Sequence, residues 1–475
     1  TKPFLDFWGV IPISSRRSKD ALSRVTEALN NGEAVVLFPE GHLSRNGQLG
    51  TFQRGFEVAT KEVKNAVIIP FYLRGLWEDN FSHASKKMKR KKSRDIAVNF
   101  AKAIPIRSTA SEVKKAVFDL SVQSWMHYAL SLPSIQKAWI SSAKKTGKRL
   151  CIADTAGLEL SGHQCITETL LISALLRPKL KDNQNIGLLI PPSIKGSMAN
   201  MALLTLGKSV VNLNYENGEK NLLHALKSAH ITKIIASSHV INRLKNKGID
   251  LTSFSDSVEI INIEAIYENI SQSKRVLTLF MVKLFPGWLL SLLCITNSKK
   301  DDTAAIFFSN GTEGEPKGIE LSHTNIMGNI KQTITLVNPT DQDVLLGTLP
   351  IYHSFGLTIT TLLPLIEGIP VVCHPDPSKS AGVGKMAAKY EATLLFTTAS
   401  LLNLYSQDRK LIPLMFKHLR MVVSGIEKLS METRNAFKKK FGHDIYESYG
   451  ATETTPVVSC NIPDCLLYTS DAADD

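Results

Sequence analysis

The chain has 475 residues, of which 43% are hydrophobic and 21% are charged. This balance is typical of a chain that buries a core, and it excludes the disordered, collagen-like and coiled-coil classes. At about 150 residues per domain, the length predicts two large domains or three smaller ones. The six cysteines form no CxxC pair, which excludes zinc-ribbon and thioredoxin-type motifs and favours a reducing compartment.

The net charge of +13 belongs to the first third of the chain. Residues 1–150 hold 26 basic and 12 acidic side chains, and the rest is almost neutral. The densest basic run lies within residues 86–94, and such a run attracts polyanions. No nucleic-acid motif or interleaved aromatic residue accompanies it, so we expect lipid headgroups and no nucleic acid, with a solvated loop as the alternative.

Apolar segments predict the elements of the first 150 residues. We expect strands at Ala34–Phe38 and Ala66–Leu73, with the start of a helix at Arg54–Lys61 between them. Helical spacing continues over residues 111–145, and the basic stretch 144–150 is the predicted linker. The chain starts at Thr1 without a visible signal peptide, so we expect it to begin inside a longer protein.

From residue 151 onward, strand-like and helical segments alternate. This pattern predicts a mainly parallel sheet covered by helices. The predicted strands are Ile186–Ile190, Ser209–Leu213, Lys233–Ala236, Val258–Ile263, Ala304–Phe308, Leu345–Leu349, Val371–Cys373, Ala392–Phe396 and Met421–Ser424.

Residues 276–295 are strongly apolar and long enough to cross a bilayer of about 30 Å. Lys283 opposes spanning, since a lysine near the centre costs about 2.5–3.5 kcal/mol, and Pro286-Gly287 breaks a helix. We therefore expect an interfacial helical hairpin or a segment packed in the core.

A short string after the first predicted strand combines a carboxylate, a glycine turn and a cation. Phe38-Pro39-Glu40-Gly41 is followed by Ser44 and Arg45. Glu40 could accept hydrogen bonds from the hydroxyls of a phosphate-bearing polyol, while Arg45 and backbone N–H groups meet its phosphate. Taken alone, the string could also be an ordinary turn.

With Val10–Ile13 before it and Ile68–Pro70 after it, this string resembles three of the four motif blocks of the glycerophospholipid acyltransferases. The resemblance implies that the substrate is bound by Phe38, Pro39, Glu40, Gly41, Ser44 and Arg45. The family's first block is a His-x4-Asp general base, which we expect to lie before Thr1. His42-Leu43 departs from the commoner Thr-Arg and leaves the headgroup contact open.

The most specific string in the chain is Phe308–Gly318, which follows a predicted strand and precedes a helical stretch from Thr324. Hydroxyls, glycines and Lys317 between a strand and a helix predict a loop that binds phosphates through its backbone N–H groups and the lysine charge. The spacing is not that of a Walker A loop, and an ordinary glycine-rich turn is the alternative.

This string resembles the phosphate loop of the adenylate-forming superfamily, and three further motifs follow in the superfamily's order. Leu349–Gly356 is similar to the segment whose histidine, here His353, lies near the acyl carboxylate. Ser424–Leu429 is similar to the loop against adenine, and Tyr446–Glu453 to the segment that contacts adenine, the α-phosphate and Mg²⁺. The resemblance implies that ATP is bound by Ser309, Asn310, Gly311, Thr312, Glu313, Gly314, Lys317, Gly318, Gly425, Tyr449, Gly450 and Thr452.

The implied reaction brings a carboxylate and a phosphate together. Lys317, Thr452 and Mg²⁺ on Glu453 would offset the negative charge, and His353 completes the implied catalytic set. A core role for His353 is the alternative.

The order of the two regions resembles the bifunctional acyl-[acyl-carrier-protein] synthetase/2-acylglycerophosphoethanolamine acyltransferase family. It implies an α/β acyltransferase-like domain followed by the large, mainly parallel α/β domain of the adenylate-forming superfamily. We expect these domains at residues 1–143 and 151–463, with 464–475 as a non-native tail that resembles translated adapter sequence.

The resemblance implies that fatty acid and ATP give acyl-adenylate, that the acyl group passes to acyl-carrier protein, and that a lysophospholipid accepts it. The implied location is the cytoplasmic face of the bacterial inner membrane, which is contacted through the basic first third and residues 276–295. A long-chain acyl-CoA synthetase, using coenzyme A, is the alternative enzyme, and a catalytically decayed membrane-binding scaffold is the alternative of another class. The superfamily's small C-terminal domain is absent, so we expect weak ATP binding and little turnover.

Overall fold

The computed structural model describes residues 9–11, 18–44, 47–76, 96–249, 258–309 and 316–461. The chain divides into two compact units: unit 1, Thr1–Ser131, and unit 2, Leu132–Asp475. The basic run within 86–94 and the predicted tail 464–475 lie outside the described residues.

Unit 1 packs short strands against helices. Its helices are α1 (Ser18–Asn30), α2 (Gly55–Thr60) and α3 (Ala110–Ser131). Its strands are β1 (Val67–Ile68), β2 (Phe71–Arg74), β3 (Ala97–Phe100) and β4 (Ile104–Pro105), paired antiparallel as β1 with β4 and β2 with β3. Val113 and Val117 lie one helical turn apart on the inner face of α3, so they pack together against Phe52. Helix α2 confirms the helix start predicted at Arg54–Lys61, and it ends within the same range, at Thr60.

Two predicted strands of unit 1 need correction. Ala34–Phe38 is not a strand: it pairs with no strand of the described residues, and Val36 and Phe38 are 69% and 66% exposed. A short apolar run becomes a strand only when a neighbour accepts its backbone hydrogen bonds. The predicted strand Ala66–Leu73 is divided into β1 and β2 at Pro70, which has no N–H for a ladder.

The helix predicted over residues 111–145 is two helices. Pro133 separates α3 from α4 (Ile135–Thr146), as expected for a residue that disfavours helical backbone before it. Helix α4 belongs to unit 2, and the chain leaves it at Gly147, whose φ of +61° is the conformation that glycine adopts freely. The basic stretch 144–150 thus begins inside a helix, and the compact units divide earlier, at Ser131.

Unit 2 is built on two large sheets. Their strands are β5 (Leu150–Asp154), β6 (Glu159–Ser161), β7 (Asn185–Leu189), β8 (Ser209–Asn212), β9 (Lys233–Ala236), β10 (Glu259–Asn262), β11 (Thr303–Ser309), β12 (Lys317–Ser322), β13 (Leu345–Gly347), β14 (Val371–Cys373), β15 (Leu394–Thr397), β16 (Met421–Ser424), β17 (Ile445–Gly450) and β18 (Val457–Cys460). The helices around them are α5 (Gly162–Leu176), α6 (Ile194–Thr205), α7 (Glu219–Ser228), α8 (Ser238–Asn246), α9 (Ile263–Glu268), α10 (Gln272–Leu284), α11 (Gly287–Cys294), α12 (His323–Val337), α13 (Ser354–Leu357), α14 (Leu363–Glu367), α15 (Ser380–Lys389), α16 (Ala399–Gln407) and α17 (Met431–Phe441).

Both sheets are parallel except at their edges. The six-stranded sheet has the order β10-β9-β7-β8-β11-β12, in which only the last pair is antiparallel. The eight-stranded sheet has the order β18-β17-β16-β15-β13-β14-β5-β6, antiparallel at both ends. Inner strands such as β8 and β15 are buried at every residue, because helices cover both faces of a parallel sheet. The predicted strand–helix alternation is confirmed.

The apolar segment 276–295 is a pair of short helices. Helices α10 and α11 are separated at Phe285-Pro286, where the proline ends helical backbone. Within the described ranges, no helix is long and apolar enough to cross a membrane.

The Phe308–Gly318 string also differs from expectation. It does not lead from a strand into a helix, because Lys317–Ser322 forms the edge strand β12, antiparallel to β11. Ser309 pairs with Lys317 across this β-hairpin, and α12 begins only afterwards, capped by Ser322. The alternating burial of β12 is that of a half-covered edge strand.

Candidate functional site

A cavity of about 310 Å³ lies at the carboxyl ends of parallel strands of unit 2. The ends of β11 and β17 and the segments that follow β8, β13, β16 and β17 contribute to its wall. The lining residues are Asn214, Phe307, Phe308, Ser309, Tyr352, His353, Ser354, Phe355, Ile426, Ser448, Tyr449, Gly450, Ala451, Thr452, Pro456 and Val457. Crevices at this edge of open α/β sheets are the usual ligand sites of such folds.

The cavity brings together residues of all four motifs. Ser309 ends β11, His353 precedes α13, and Tyr449, Gly450 and Thr452 lie at and after the end of β17. Ile426 represents the third motif in the wall, next to Gly425. The string Asn310, Gly311, Thr312, Glu313 and Gly314 lies outside the described residues.

Other predicted site residues stand beside this wall. Lys317 and Gly318 open the edge strand β12 and are exposed. Glu453 is exposed on the 3₁₀ turn Thr452–Thr454. Gly425 is buried, and a Cβ there would lie 2.7 Å from Ser448 Oγ. The roles of these residues stay predictions.

Two glycines allow backbone segments of the cavity wall to touch. A Cβ on Gly450 would lie 1.7 Å from the Pro456 carbonyl oxygen, so only glycine fits where the chain folds back after β17. A Cβ on Gly356 would lie 1.9 Å from the Pro350 carbonyl oxygen. Glycine therefore allows the close backbone contact in the turn that contains His353.

The His353 ring is held in one orientation and one tautomer. Its Nδ1 accepts a hydrogen bond of 3.2 Å from the Phe355 N–H, and so caps α13. Burial lowers the pKa of His353 below its ordinary value, which keeps the ring neutral at pH 7. With Nδ1 as acceptor, Nε2 carries the proton. The ring can therefore donate one hydrogen bond to an acceptor in the cavity.

Ser354 connects the second and fourth motifs. Its hydroxyl donates to Thr452 Oγ1 over 3.4 Å, and Ser354 is almost fully buried. Thr454 Oγ1 accepts from the Ala451 N–H at 3.0 Å, which closes the turn that carries Thr452. Two hydroxyl-bearing segments therefore stand side by side at the cavity.

Asn329 of α12 is a residue that motif reasoning missed. It is 5% exposed, and its amide bonds to the backbone of Val457 and Thr454 behind the cavity. A polar side chain between the apolar Ile326 and Ile330 on the inward face of a helix is the signal that could have found it.

Glu453 is the residue implied to hold Mg²⁺. In the parts of the chain that the structure describes, no group of three or more His, Cys, Asp or Glu side chains could hold a metal by itself. A single exposed carboxylate beside Thr452 does suit Mg²⁺, which proteins commonly bind through one or two carboxylates together with substrate phosphates.

The predicted acyltransferase site in unit 1 is a closed loop. Glu40 Oε2 accepts from the Gly50 N–H at 2.7 Å, and Ser44 Oγ donates to the Gln48 carbonyl oxygen at 3.0 Å. The φ of +74° at Gly41 turns the chain after Pro39. Phe38 packs edge-on against Phe71, with ring centroids 5.8 Å apart. Arg45 lies outside the described residues, and the binding role of the string stays a prediction.

Solved structures share the fold of unit 2. Apo MatB from Rhodopseudomonas palustris matches with a TM-score of 0.56 and 19% identity, over 71% of this chain and 63% of that one. The anthranilate CoA ligase AuaEII in complex with anthranoyl-AMP matches with a TM-score of 0.58 and 18% identity, over 70% and 63%. At these identities the likeness shows the fold alone.

Curated relatives are more similar in sequence. The long-chain-fatty-acid–CoA ligase of Escherichia coli O157:H7 is 25% identical over 304 residues, which cover 59% of this chain and 53% of the ligase. That of Yersinia pestis is 26% identical over 311 residues, or 61% and 54%. The probable 4-coumarate–CoA ligase 1 of Dictyostelium discoideum is 33% identical over 163 residues, or 33% and 29%. The chain spans about half the length of the first two ligases.

Two family models match the chain. The acyltransferase model matches residues 1–74, and the model described as AMP-binding enzyme matches residues 140–472. The predicted α/β fold class, with an acyltransferase-like region ahead of an adenylate-forming domain, is confirmed. The second match covers well over half of the chain and includes the whole cavity, and on this basis the chain belongs to the family of AMP-binding enzymes.

Proposed function

We propose that unit 2 activates a fatty acid with ATP, giving an acyl-adenylate and pyrophosphate. The observation that carries this proposal is the cavity in which Ser309, His353, Tyr449 and Thr452 meet from separate segments of the chain. Long-chain-fatty-acid–CoA ligases among the relatives support a fatty acid as the substrate.

The proposed chemistry joins two anions. An oxygen of the fatty-acid carboxylate forms a bond to the α-phosphorus of ATP, and the bond from that phosphorus to the bridging oxygen of pyrophosphate breaks. His353 donates from Nε2 to the carboxylate or to an α-phosphate oxygen, without carrying a charge of its own. The Thr452 hydroxyl, held beside Ser354, hydrogen-bonds the α-phosphate, and the Lys317 ammonium offsets the charge of the phosphates. Mg²⁺, held by Glu453 together with the nucleotide, would supply further positive charge.

The acyl-adenylate then reacts with a thiol, which displaces AMP and forms a thioester. We propose the phosphopantetheine thiol of acyl-carrier protein as the acceptor, because an acyltransferase-like region precedes the AMP-binding region in the same chain. The curated relatives favour coenzyme A, so a long-chain acyl-CoA synthetase is the second candidate. Incubation of the complete gene product with labelled palmitate, ATP and either thiol distinguishes them by which thioester forms.

The proposed fate of the acyl group is the free hydroxyl of a lysophospholipid such as 2-acylglycerophosphoethanolamine. The match of residues 1–74 to acyltransferases supports this step, and the basic first third suits a surface of anionic lipid. The proposed location is the cytoplasmic face of the bacterial inner membrane. A catalytically decayed scaffold would bind the same surface but would form no phospholipid from acyl-carrier protein thioester and lysophospholipid.

The activation step is tested by palmitate-dependent release of pyrophosphate from ATP, in the complete gene product with Mg²⁺. Lys317→Ala should lower the rate about a hundredfold, which is typical of losing a charge-stabilising group in such a site. Lys385→Ala, on the exposed surface of α15, is the matched control and should keep the full rate. An unchanged rate in Lys317→Ala would refute the proposed role of the phosphate loop.

A further inference from the structure

Helix α10 presents an unpartnered apolar stripe to solvent. Val276, Phe280 and Leu284 follow one another at four-residue intervals and are 60%, 64% and 65% exposed. Leu277, beside this stripe, is 70% exposed. Four-residue spacing places these side chains on one face of the helix. Soluble proteins seldom leave such contiguous apolar faces to water, and those that do commonly use them for contact with a partner or a membrane.

Helix α11 continues the same pattern after Pro286. Trp288 is 70% exposed, Leu292 is 72% exposed and Leu293 is 62% exposed. Trp288 and Leu292 are one helical turn apart and therefore share a face. The exposed apolar side chains of α10 and α11 are called the hairpin face from here on.

The opposite sides of α10 and α11 pack into unit 2, and this packing keeps the hairpin face exposed to solvent. Val282 and Leu290 are completely buried. Arg275 Nε lies 3.1 Å from Glu168 Oε1 of α5, which fixes the start of α10. The Lys144 ammonium donates to the carbonyl oxygens of Val282 and Lys283, where a cation satisfies the free carbonyl end of α10. The exposure of the hairpin face is therefore a consequence of the fold.

The charged side chains of helices α10 and α11 have one sign. From Ser271 to Lys300 the chain contains no aspartate or glutamate, whereas it contains five lysines and arginines. Helix α4, which packs against α11, likewise has lysines and no acidic residue. Although Arg275 pairs with Glu168 of α5, the two helices themselves carry cations and no acid, and such an apolar face complements a surface of anionic lipid headgroups over acyl chains.

The lengths of the helices favour lying on a bilayer over crossing it. Helix α10 has 13 residues and α11 has 8. At 1.5 Å per residue they are about 20 Å and 12 Å long, against a hydrocarbon core of about 30 Å. The exposed indole of Trp288 suits the headgroup boundary, where one side of the ring is apolar and the other wet.

We propose that the hairpin face docks unit 2 on the surface of an anionic phospholipid bilayer, with Phe280, Trp288 and Leu292 in the boundary between headgroups and acyl chains. This inference rests on the proposed function, which places fatty acid and lysophospholipid substrates in such a membrane. It assigns unit 2 a lipid contact of its own, in addition to the basic first third. Large apolar side chains dominate the face and cations only border it, which favours a bilayer over an acidic protein.

The first test is flotation of the full chain with vesicles of phosphatidylcholine containing 30% phosphatidylglycerol, without ATP or fatty acid. The double variant Phe280→Ser with Leu292→Ser should bind at least tenfold more weakly than the parent chain. Leu414→Ser with Met431→Ser is the matched control, because these side chains are 64% and 63% exposed elsewhere on unit 2. Equal binding by the test variant and the parent chain would overturn the proposal. Calorimetric ATP binding, compared among all three proteins, reports separately on the cavity.

The second test measures depth. Phosphatidylcholine brominated on its acyl chains should quench part of the tryptophan fluorescence of the bound chain, and Trp288→Phe should remove that part while vesicle binding persists. Quenching that is equal in parent and variant would overturn the proposal. Two other uses of the hairpin face would also overturn the proposal. If the face pairs two copies of the chain, sedimentation will show a dimer of the parent chain that the Phe280→Ser and Leu292→Ser variant loses. If the face binds an acidic protein, the parent chain will not bind vesicles.

Discussion

Asn329 and Val457 exchange two hydrogen bonds. Asn329 Nδ2 donates to the Val457 carbonyl oxygen at 2.7 Å, and the Val457 N–H donates to Asn329 Oδ1 at 3.3 Å. Nδ2 also lies 3.3 Å from the Thr454 carbonyl oxygen. One buried amide on α12 therefore holds the segment that follows Thr452 in the cavity wall.

Replacing Asn329 with alanine should weaken nucleotide binding without unfolding unit 2. The change leaves the partly buried Val457 N–H and two carbonyl oxygens without this partner, and a buried group left unsatisfied costs at most about 1–3 kcal/mol. If the nucleotide must bring the loosened segment back into place at a cost of about 1.4 kcal/mol, near the lower end of the range for one such group, ATP affinity drops about tenfold. Calorimetric titration with ATP measures the change. Gln332→Ala, an exposed amide on the same helix, should bind as the parent chain does.

Gly450→Ala should disturb the same wall from the other side. The new Cβ would lie 1.7 Å from the Pro456 carbonyl oxygen, a backbone atom that cannot turn away as a side chain can. We expect ATP affinity to fall at least tenfold, as for a segment forced out of position. Gly287→Ala is the control, because its Cβ would meet only ordinary contacts of 3.6 Å or more. Equal affinities for the two variants would show that the chain can fold back after β17 without glycine.

Much of the sheet architecture could be predicted because buried parallel strands are short, unbroken apolar runs. Lys233–Ala236, Val371–Cys373 and Met421–Ser424 coincide residue for residue with β9, β14 and β16. The same rule failed at Ala34–Phe38, since an apolar run carries no information about whether a neighbouring strand accepts its hydrogen bonds. It also missed β12, in which exposed and partly covered residues mix.

The cavity, like the sheets, could be predicted from the sequence only in part. Motif order places Ser309, His353 and Thr452 after strands, so their meeting at one sheet edge could be expected from a parallel fold. The contacts that hold them could not, because Ser354 is 98 residues from Thr452 in the chain. The role of Asn329 likewise depends on where α12 crosses behind β18, which no local pattern specifies.

His353 should keep the proposed activation step insensitive to mild acid. Burial lowers its pKa below the ordinary 6.5, and a proton on Nδ1 would also break the hydrogen bond from the Phe355 N–H. The neutral ring is therefore still the major form at pH 6.5, and we expect the palmitate-dependent rate to fall by less than half between pH 7.5 and pH 6.5. A pH–rate profile of the complete gene product measures this. A fall by half at pH 6.5 that His353→Gln abolishes would show instead an unshifted histidine.

His323 should make the stability of unit 2 fall in acid. Its side chain is almost fully buried at the start of α12, and burial lowers its pKa from 6.5 to about 4, although nearby Asp302 acts in the opposite direction. Between these two pH values the unfolded chain binds a proton that the folded chain does not, so stability declines as pH falls from 6.5 towards 4. The expected loss from this group is about 2 kcal/mol between pH 7 and pH 5. Urea unfolding of the parent chain and of His323→Gln at both pH values measures it, because glutamine cannot take up the proton. The variant should lose about 2 kcal/mol less than the parent chain over this interval, and an equal loss in the two proteins would assign the acid sensitivity to other groups.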